Sequence, residues 1–530
     1  VAVIPEALPA IVTGTLAIGM REMARRNALV RRMPAVETLG CVTVICSDKT
    51  GTLTRGEMTV RKMYLRDEII EVPGVGYEAK GEFLRGNEKI EVKENKTLSL
   101  FLTGAALCVN ASYDGKNIIG DTTEGALIVA AAKAGFIKEE LERMYPRVYE
   151  VPFTSERKRM TTVHRDSEGR LVAFMKGAPE VVLSRCTHIL KDGKTHKMSE
   201  RERREILKVN EDMANEALRV LGIAFKELTD VKPDSPDEGK VDESIESKLI
   251  FIGLAGMIDP PRDEAKEANR LCREAGIKTV MITGDHKLTA VAVAKEIGMM
   301  ENGLALTGEE LDRMSDEEFE KIVEDVVVYA RVSPEHKLRI VNALKKKGHI
   351  VAMTGDGVND APALKRADIG IAMGITGTDV TKEAADMILA DDNFATIVKA
   401  VEGGRAIYDN IRKFSFFLLR CNFDELVIIG TFALLGLELP LTAGMILWIN
   451  LMTDGAPAIA LSQDPPSEDV MKRPPRNPEE GILHGRLVSI LATFVTQFVG
   501  TAVLFYVAYY VWHEPLEEAR TLAFMQATMS

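Results

Sequence analysis

Cysteine is scarce and unpatterned in this chain. Six thiols, at positions 41, 46, 108, 186, 272 and 421, form no CxxC pair and no Cys-His metal spacing. A disulfide scaffold and a zinc finger are therefore excluded, and the thiols read as reduced and mostly buried. Basic residues do not predominate either: 67 Lys and Arg face 79 Asp and Glu, for a net charge of -12. That balance argues against nucleic acid as a partner and suits a body that handles cations and magnesium-nucleotide. There is no GxxxxGK[ST] sequence, so a P-loop mechanism is excluded. Cleavable signal, internal repeat and low-complexity tract are all missing. What remains is 530 residues, 46% hydrophobic and 28% charged, enough for two or three domains and for a mixture of soluble domains and membrane helices.

The most informative stretch present is Asp48-Lys-Thr-Gly-Thr-Leu-Thr54. It follows a short apolar run, Val42 to Cys46, that reads as a buried parallel strand. Asp48 then sits where a strand opens into a loop, the usual place for chemistry in an open α/β sheet. A carboxylate there can attack phosphate as a nucleophile. Two residues on stands Thr50, where a phosphatase of this plan would want a second acid to activate water. Without that acid the acyl phosphate should persist long enough to drive something else.

DKTGTLT, with the motifs that follow, resembles the P-type cation-transporting ATPases, most of all their type II calcium pumps, over nearly the whole chain. The resemblance implies a multidomain membrane protein. Its expected parts are a doubly wound, haloacid-dehalogenase-like α/β phosphorylation domain, an inserted α+β nucleotide-binding domain and an α-helical transmembrane bundle. Against the family pattern the chain lacks the first three membrane helices and the actuator domain, with no Thr-Gly-Glu loop suited to dephosphorylation. The expected division is 1–20 as the cytoplasmic-side part of a fourth membrane helix and 21–39 as a connecting stalk. The phosphorylation domain takes 40–58 and 257–400, with the nucleotide domain at 59–256 between them. Stalk and fifth membrane helix take 401–437; the sixth, seventh and start of the eighth helix take 441–461, 487–512 and 519–530.

The local patterns fit this division. Met160–Arg165 and Arg170–Lys176 flank an Asp-Ser-Glu-Gly turn and read as an antiparallel hairpin. Ser199 to Val220 reads as a charged amphipathic helix, and the Asp/Pro/Gly/Ser-rich run 229–247 as a surface loop or linker. From Leu254 strands and helices alternate: strands at Lys278–Ile282, Val326–Ala330, His349–Met353 and Asp368–Ala372, helices at Leu288–Ile297, Glu335–Lys347 and Ala361–Arg366. Phe414–Leu437, Leu441–Leu461 and Leu487–Trp512 each approach the ~20 residues that a bilayer requires. Arg405, Arg412 and Lys413, then Lys472, Arg473 and Arg476, mark cytoplasmic ends, while the acidic stretch Glu514–Glu518 falls outside.

Four acidic motifs lie at the C-terminal ends of expected strands: Asp48, Thr283-Gly-Asp285, Asp259 in Asp-Pro-Pro-Arg262, and Thr354-Gly-Asp-Gly-Val-Asn-Asp360. Strand ends of one sheet converge, so these acids should cluster around Mg²⁺. Asp48, Asp356 and the Thr50 carbonyl would hold the ion, with Asn359 and Asp360 positioned beside it. Lys49 and Lys337 would neutralise the transferring phosphoryl group, and Thr283, Gly284 and Asp285 would complete the loop around it. By resemblance these are the family's phosphorylation residues. ATP is the expected cosubstrate. The resemblance assigns adenine stacking to Phe153, with Glu124, Lys158, Lys176, Gly177, Arg219, Asp259 and Arg331 around the nucleotide.

Charged groups in membrane helices cost roughly 2.5–3.5 kcal/mol each at mid-bilayer, so they usually line an ion path. Asn422 and Glu425 share one helix face; Asn450, Thr453 and Asp454 share another. Glu6 lies between Pro5 and Pro9, where Val1, Ala2 and Ile4 could present freed carbonyls. This all-oxygen set suits Ca²⁺, and no thiol stands at the proline bend to favour a soft metal. PEALP, NFDE and NLMTDG resemble the calcium pump's PEGLP, NVGE and NLVTDG. Asp424, an added carboxylate, points about 100° from Glu425 and could pair with Arg420 one turn back.

The expected function is an ATP-driven cation pump that forms an aspartyl-phosphate on Asp48 and exports Ca²⁺ from the cytoplasm. It would be multi-pass in the cell membrane with its catalytic domains cytoplasmic. The bilayer, ATP and the transported cation are its readable partners, with no obligatory protein partner. Na⁺, H⁺ or Mn²⁺ as the ion, a membrane-anchored phosphohydrolase and a non-enzymatic channel-like subunit are the alternatives.

Overall fold

The computed structural model describes residues 8–65, 68–74, 76–86, 88–191, 193–228, 245–478, 480–481 and 487–529. Eight strands form one sheet: β1 (Ala28–Val30), β2 (Val44–Asp48), β3 (Lys278–Thr283), β4 (Leu304–Thr307), β5 (Val326–Ala330), β6 (Val351–Gly355), β7 (Ile369–Met373) and β8 (Met387–Leu389). Their spatial order is β1-β8-β7-β6-β2-β3-β5-β4. Every pairing is parallel except β1 with β8 at the edge. The strands bury both faces and so read as continuous apolar runs, as parallel strands covered by helices must. Two apolar cores, one on each face, pack helices against them.

β2 lies in the middle, between β6 and β3, with Asp48 opposite Ile282. The strand order reverses there. This topological switch point sets the crevice at the strands' C-terminal ends.

β1 comes from the stretch expected to be a connecting stalk, 21–39, and β4 and β8 were not expected from the sequence. All three are short, three or four residues, too brief for a period-two signal to stand out. The chain's Thr-Gly-Glu triplet, Thr307–Glu309, begins the helix Gly308–Asp312. Thr307 Oγ1 accepts from the Glu310 N–H in a capping box, a structural duty.

Between β2 and β3 the chain builds a second, largely antiparallel sheet. Among its strands are Thr59–Leu65, Leu249–Ile258, Arg219–Leu228, Leu171–Gly177 and Arg159–Arg165, with Arg147–Val151 at one edge. The expected hairpin is present, with Arg159 opposite Gly177 and Arg165 opposite Leu171. The amphipathic helix is shorter than expected. It runs Glu200–Asn215, and Arg219 already starts a strand. Ala217, at φ 62°, breaks the helix where no glycine or proline announced it. Residues 229–244 of the expected linker lie outside the described residues; its end, Ile245 and Glu246, is buried at 1% and 2% exposure rather than looped on the surface.

One continuous helix, Phe394–Leu434, leads from β8 into the apolar region. The expected helix 441–461 is interrupted: Ala443–Trp448, then a wide π turn Ile449–Thr453, then Gly455–Leu461. Leu487–Tyr506 and Leu516–Met529 follow. Among the described residues one stretch, Ala443–Leu461, is long and apolar enough to cross a membrane by length and composition. The apolar half of Phe394–Leu434 carries Arg420, Asp424 and Glu425, three charged residues in an otherwise spanning sequence.

A pH response is built into the second sheet. His164, fully buried, has Nδ1 at 2.9 Å from the Tyr145 carbonyl, which can only accept, so Nε2 accepts from Thr162 Oγ1 at 2.9 Å. Burial pushes this imidazole down from 6.5 to about 4. The unfolded chain therefore takes up a proton first, and stability falls as pH drops from 6.5 toward 4, by up to about 1.4 kcal/mol per unit. Denaturant midpoints across that range should show a steeper loss for the native chain than for His164→Gln. Parallel curves would refute the assignment.

Candidate functional site

The crevice at the end of β2 gathers side chains from sequence positions more than 300 residues apart. Leaving β2, the chain makes one wide turn closed by Thr54 N–H on the Lys49 carbonyl at 3.0 Å, with Gly51 at φ 77°. Only a residue without a Cβ takes that angle readily. Arg262 holds the turn from outside, donating Nη2 to the Gly51 carbonyl at 2.8 Å and Nε to the Thr54 carbonyl at 3.2 Å.

Asp48 N–H donates to Thr354 Oγ1 at 2.8 Å, tying β2 to the TGDGVND loop. Lys337 Nζ lies 2.9 Å from both Asp48 Oδ2 and Asp360 Oδ1. Oxygens of Asp48, Asp356 and Asp360 all lie within 4.8 Å of one another, the one such acidic cluster among the described residues. Asp360 Oδ2 also accepts from the Asp356 and Gly357 N–H groups at 3.3 Å. Thr381 Oγ1 donates to the Asp356 and Gly357 carbonyls at 3.2 and 3.0 Å, bracing the loop from behind.

The electrostatics follow from this crowding. Burial, and after it the carboxylates of Asp48 and Asp360, push Asp356 above the ordinary carboxylate range. Burial works against the charge on Lys337, but Asp48 and Asp360 outweigh it and push this amine upward. With one ammonium among three acids, the cluster keeps negative charge to spare. Hard oxygen donors in that excess fit Mg²⁺, with Asp48 and Asp356 as the first candidates to hold it and Asp360 bound to Lys337 beside them.

Lys49 is buried and forms a close ion pair with Asp285; Asp259 Oδ2 lies 3.9 Å from its Nζ. Asp259 is itself spoken for, accepting from Thr54 Oγ1 at 2.5 Å and from the Gly56 and Glu57 N–H groups at 2.9 and 3.2 Å. Burial raises its pKa despite those donors. It closes the loop after β2. Thr283 is buried, and its Oγ1 accepts from the Asp285 N–H at 3.1 Å. Gly284, Thr50 and Asn359 are exposed on their loops. The Arg331 N–H donates to the Asp285 carbonyl at 3.0 Å, from a backbone at φ 50°.

From this crevice a cleft of about 460 Å³ runs toward the second sheet, lined by Lys49, Thr50, Asp259 and Asp285 on one side and Thr122 and Arg219 on the other. Of the residues expected around a nucleotide, Arg219 and Asp259 line it. Glu124 stands two residues beyond Thr122, accepting from the Asn110 and Ala111 N–H groups at 2.7 and 2.9 Å and closely paired with Lys176. Phe153 is 57% exposed, with its ring free to meet a flat partner, and Lys158 is exposed nearby at φ 50°. Gly177 is required where it stands: a Cβ there would sit 2.5 Å from the Lys158 carbonyl.

The family models now have a geometry to meet. Residues 97–264 match the P-type ATPase cytoplasmic domain N, 337–401 the haloacid dehalogenase-like hydrolases, and 438–530 the cation-transporting ATPase C-terminus. These are the domains of a P-type cation-transporting ATPase. The calcium-transporting ATPase of Bacillus subtilis is 47% identical over 530 residues, 99% of this chain and 59% of that protein. A cation-transporting ATPase of Synechocystis is 46% identical, covering 92% of this chain and 54% of its own length. The human calcium-transporting ATPase type 2C member 1 is 43% identical, covering 96% and 54%. The chain thus spans 54–59% of the length of these three relatives.

In the apolar region of this P-type chain, Asn422, Asp424 and Glu425 on one helix and Asp454 beyond the π turn are buried at 6% exposure or less. A cavity of about 230 Å³ is lined by Arg420, Asp424, Glu425, Thr453, Asp454 and Gln497 among others. Both carboxylate oxygens of Asp424 and of Glu425, and Oδ2 of Asp454, are buried without a hydrogen-bond partner. The expected Asp424–Arg420 pair does not form. Arg420 lies instead over the Phe417 ring, 5.8 Å from its centroid, and Asp424 shares the cavity with Glu425. Asn422 and Asn450 do not line that cavity, and Val1, Ala2, Ile4 and Glu6 lie outside the described residues.

A π turn, Ile449–Thr453, stands where the sequence reads a regular helix, and Thr453 and Asp454 still line the same cavity. The Asp454 N–H and Thr453 Oγ1 both donate to the Ile449 carbonyl, at 2.9 and 2.8 Å. Pro457 has no N–H to offer the Thr453 carbonyl, so that oxygen is left free of the usual helical bond. The sequence did carry a hint of this in its Asp454-Gly-Ala-Pro457 string, since glycine and proline so close together weaken a helix.

If the three-aspartate cluster takes the magnesium ion, Asp356→Asn should weaken Mg²⁺ or Mn²⁺ binding by about tenfold or more. Titration calorimetry on the native chain and variant gives the comparison; equal affinities would remove the cluster from that role.

Proposed function

We propose that the protein is an ATP-driven cation pump that carries phosphate on Asp48 and moves Ca²⁺ out of the cytoplasm. The observation behind this reading is the placement of Asp48 at the switch point of the sheet, bonded to Lys337 and crowded by Asp356 and Asp360. A carboxylate so placed is aimed out of its strand toward an arriving phosphate.

In the proposed reaction an Asp48 oxygen attacks the γ-phosphorus of ATP. A bond forms between carboxylate oxygen and phosphorus, the bond from phosphorus to the β,γ-bridging oxygen breaks, and ADP leaves with that electron pair. Lys337 and Lys49 supply positive charge beside the oxygens on which negative charge accumulates. Mg²⁺, when bound, would add charge neutralisation at the same oxygens. Thr50, a hydroxyl where a second acid would activate water, leaves the acyl phosphate to survive. Phe153, Lys158 and Arg219, with the Lys176–Glu124 pair behind them, would hold adenine and phosphates on the far side of the cleft.

For the transported ion, Glu425, Asp454 and Asp424 supply carboxylates in one buried cavity, with Thr453 beside them. Asn422, Asn450 and Glu6 would complete an oxygen set of the kind Ca²⁺ prefers. Buried acids without partners are costly unless a cation visits them. The calcium-transporting names of relatives in Bacillus subtilis and human support Ca²⁺ as that cation. Moving a divalent ion against ~100 mV requires roughly 4.6 kcal/mol for the voltage alone, a load that calls for coupling to ATP.

In membrane vesicles carrying the protein, γ-labelled ATP should leave acid-stable phosphate on the native chain. Asp48→Asn should reduce it by at least about 10³-fold. Glu425→Gln and Asp454→Asn should keep the fold while shifting the Ca²⁺ dependence of labelling by about tenfold or more. Labelling that ignores Ca²⁺ in the native protein would overturn the ion assignment, and labelling that survives Asp48→Asn would overturn the nucleophile.

A further inference from the structure

Glu246 is an acid that the proposed reaction does not use, yet it is among the most completely buried in the second domain. It is 2% exposed, and its carboxylate is enclosed by three donors. Arg159 Nε donates to Oε2 at 2.8 Å, Thr161 Oγ1 donates to Oε1 at 2.8 Å, and Arg157 Nη2 donates to Oε1 at 2.5 Å. Burial alone would raise its pKa, but the bonds from Arg157, Thr161 and Arg159 outweigh burial and hold it below the ordinary range. These donors favour its charged form. Its neighbour Ile245 is anchored too, in an apolar cluster with Val163, Leu171, Ala173 and Leu228.

The arginines lead from this anion to the loop that carries Phe153. Arg157 uses its other amino group, Nη1, to donate to the Pro152 carbonyl at 2.8 Å, so it spans the loop from one end to the other. Lys158 then turns at φ 50°. Its N–H donates to the Thr154 carbonyl at 2.8 Å, and its own carbonyl accepts from the Ala178 N–H at 3.0 Å. Residues 152–158 are thereby fixed against the Gly177–Ala178 corner, with Phe153 projecting from a braced loop instead of a slack one. An aromatic ring offered to a base from a fixed loop loses less freedom on binding.

We propose that Glu246 is a positioning residue for nucleotide binding: through Arg157 it orients Phe153 without touching the nucleotide. This rests on the reading of Phe153 as the adenine platform.

The test is equilibrium dialysis of the native chain with radiolabelled ATP, and with inorganic tripolyphosphate, which has no adenine. Glu246→Gln should weaken ATP binding about tenfold, the loss of one charge-assisted hydrogen bond passed on in part. Tripolyphosphate binding should stay unchanged, and Glu246→Asp should recover part of the ATP affinity. Arg157→Gln, at a half-exposed position that tolerates change more readily, should reproduce the ATP defect even if Glu246→Gln does not fold. ATP affinity unaltered in Arg157→Gln, or lowered together with tripolyphosphate affinity in both variants, would overturn the inference. Phe153→Ala separates the two readings. If it weakens ATP binding and Arg157→Gln does not, only the positioning role fails; if neither matters, the adenine platform itself is wrong.

Discussion

Three carboxylates held within 4.8 Å of one another cannot all stay ionised unless something positive joins them. At an effective dielectric near 20, each such pair repels by roughly 3–4 kcal/mol. The fold supplies a partial answer in Lys337, which reaches Asp48 and Asp360 at equal distance from the second turn of its helix. The compensation is incomplete by design of the residue count: one ammonium against three acids. The negative charge left over on hard oxygens suits a metal ion such as Mg²⁺. Most of the surrounding structure serves to keep these groups together. Thr354, Thr381 and Arg262 spend their hydrogen bonds on the loops that carry the acids, with none reaching the acids' outer oxygens.

The same constraint recurs in the apolar region with a different resolution. There Asp424, Glu425 and Asp454 are buried with oxygens left unbonded, and the nearest guanidinium, that of Arg420, lies over an aromatic ring instead of against a carboxylate. In the crevice Lys337 bonds the acids directly; in the cavity Arg420 lines the wall but forms no salt bridge with them. A resident counter-ion suits a site that must stay assembled, whereas an unmatched set of acids suits one that exchanges its occupant. The continuous helix Phe394–Leu434 begins beside the sheet that carries Asp48 and ends beyond Glu425, so the two clusters share one rigid element. Domain rearrangement at one end has a mechanical route to the other.

Much of this was legible in the chain. DKTGTLT, TGD and TGDGVND each end a strand of one parallel sheet, so Asp48, Asp285, Asp356 and Asp360 reach one crevice as expected, whereas Asp259 arrives from the end of Leu249–Ile258 in the second, antiparallel sheet. The long strands and helices of the sheet domain fell within two residues of their expected bounds because their apolar patterns are long and their caps ordinary. The failures were local. Helix 200–215 stops at an alanine in the left-handed region, which no composition rule flags. The π turn at Ile449–Thr453 interrupts a helix that a 3.6-residue period reads as continuous. Asp424 appeared to have a partner one turn back, but the arginine found an aromatic ring.

Sequence alone determined which groups are chemically capable: an aspartate at a strand end without a second acid at Thr50, two lysines, four acidic strand ends, and carboxylates inside apolar helices. Those are properties of residue type and spacing along one strand or helix, and they hold before the chain folds. Tertiary structure decided which of these groups meet and which are taken. Lys337 bridges Asp48 and Asp360 across nearly 300 residues, Asp259 is consumed by Thr54 and two backbone N–H groups, and Glu246 is clamped by Arg157 and Arg159. Contact between distant residues depends on packing and on competition for hydrogen bonds, and neither quantity is written in local sequence.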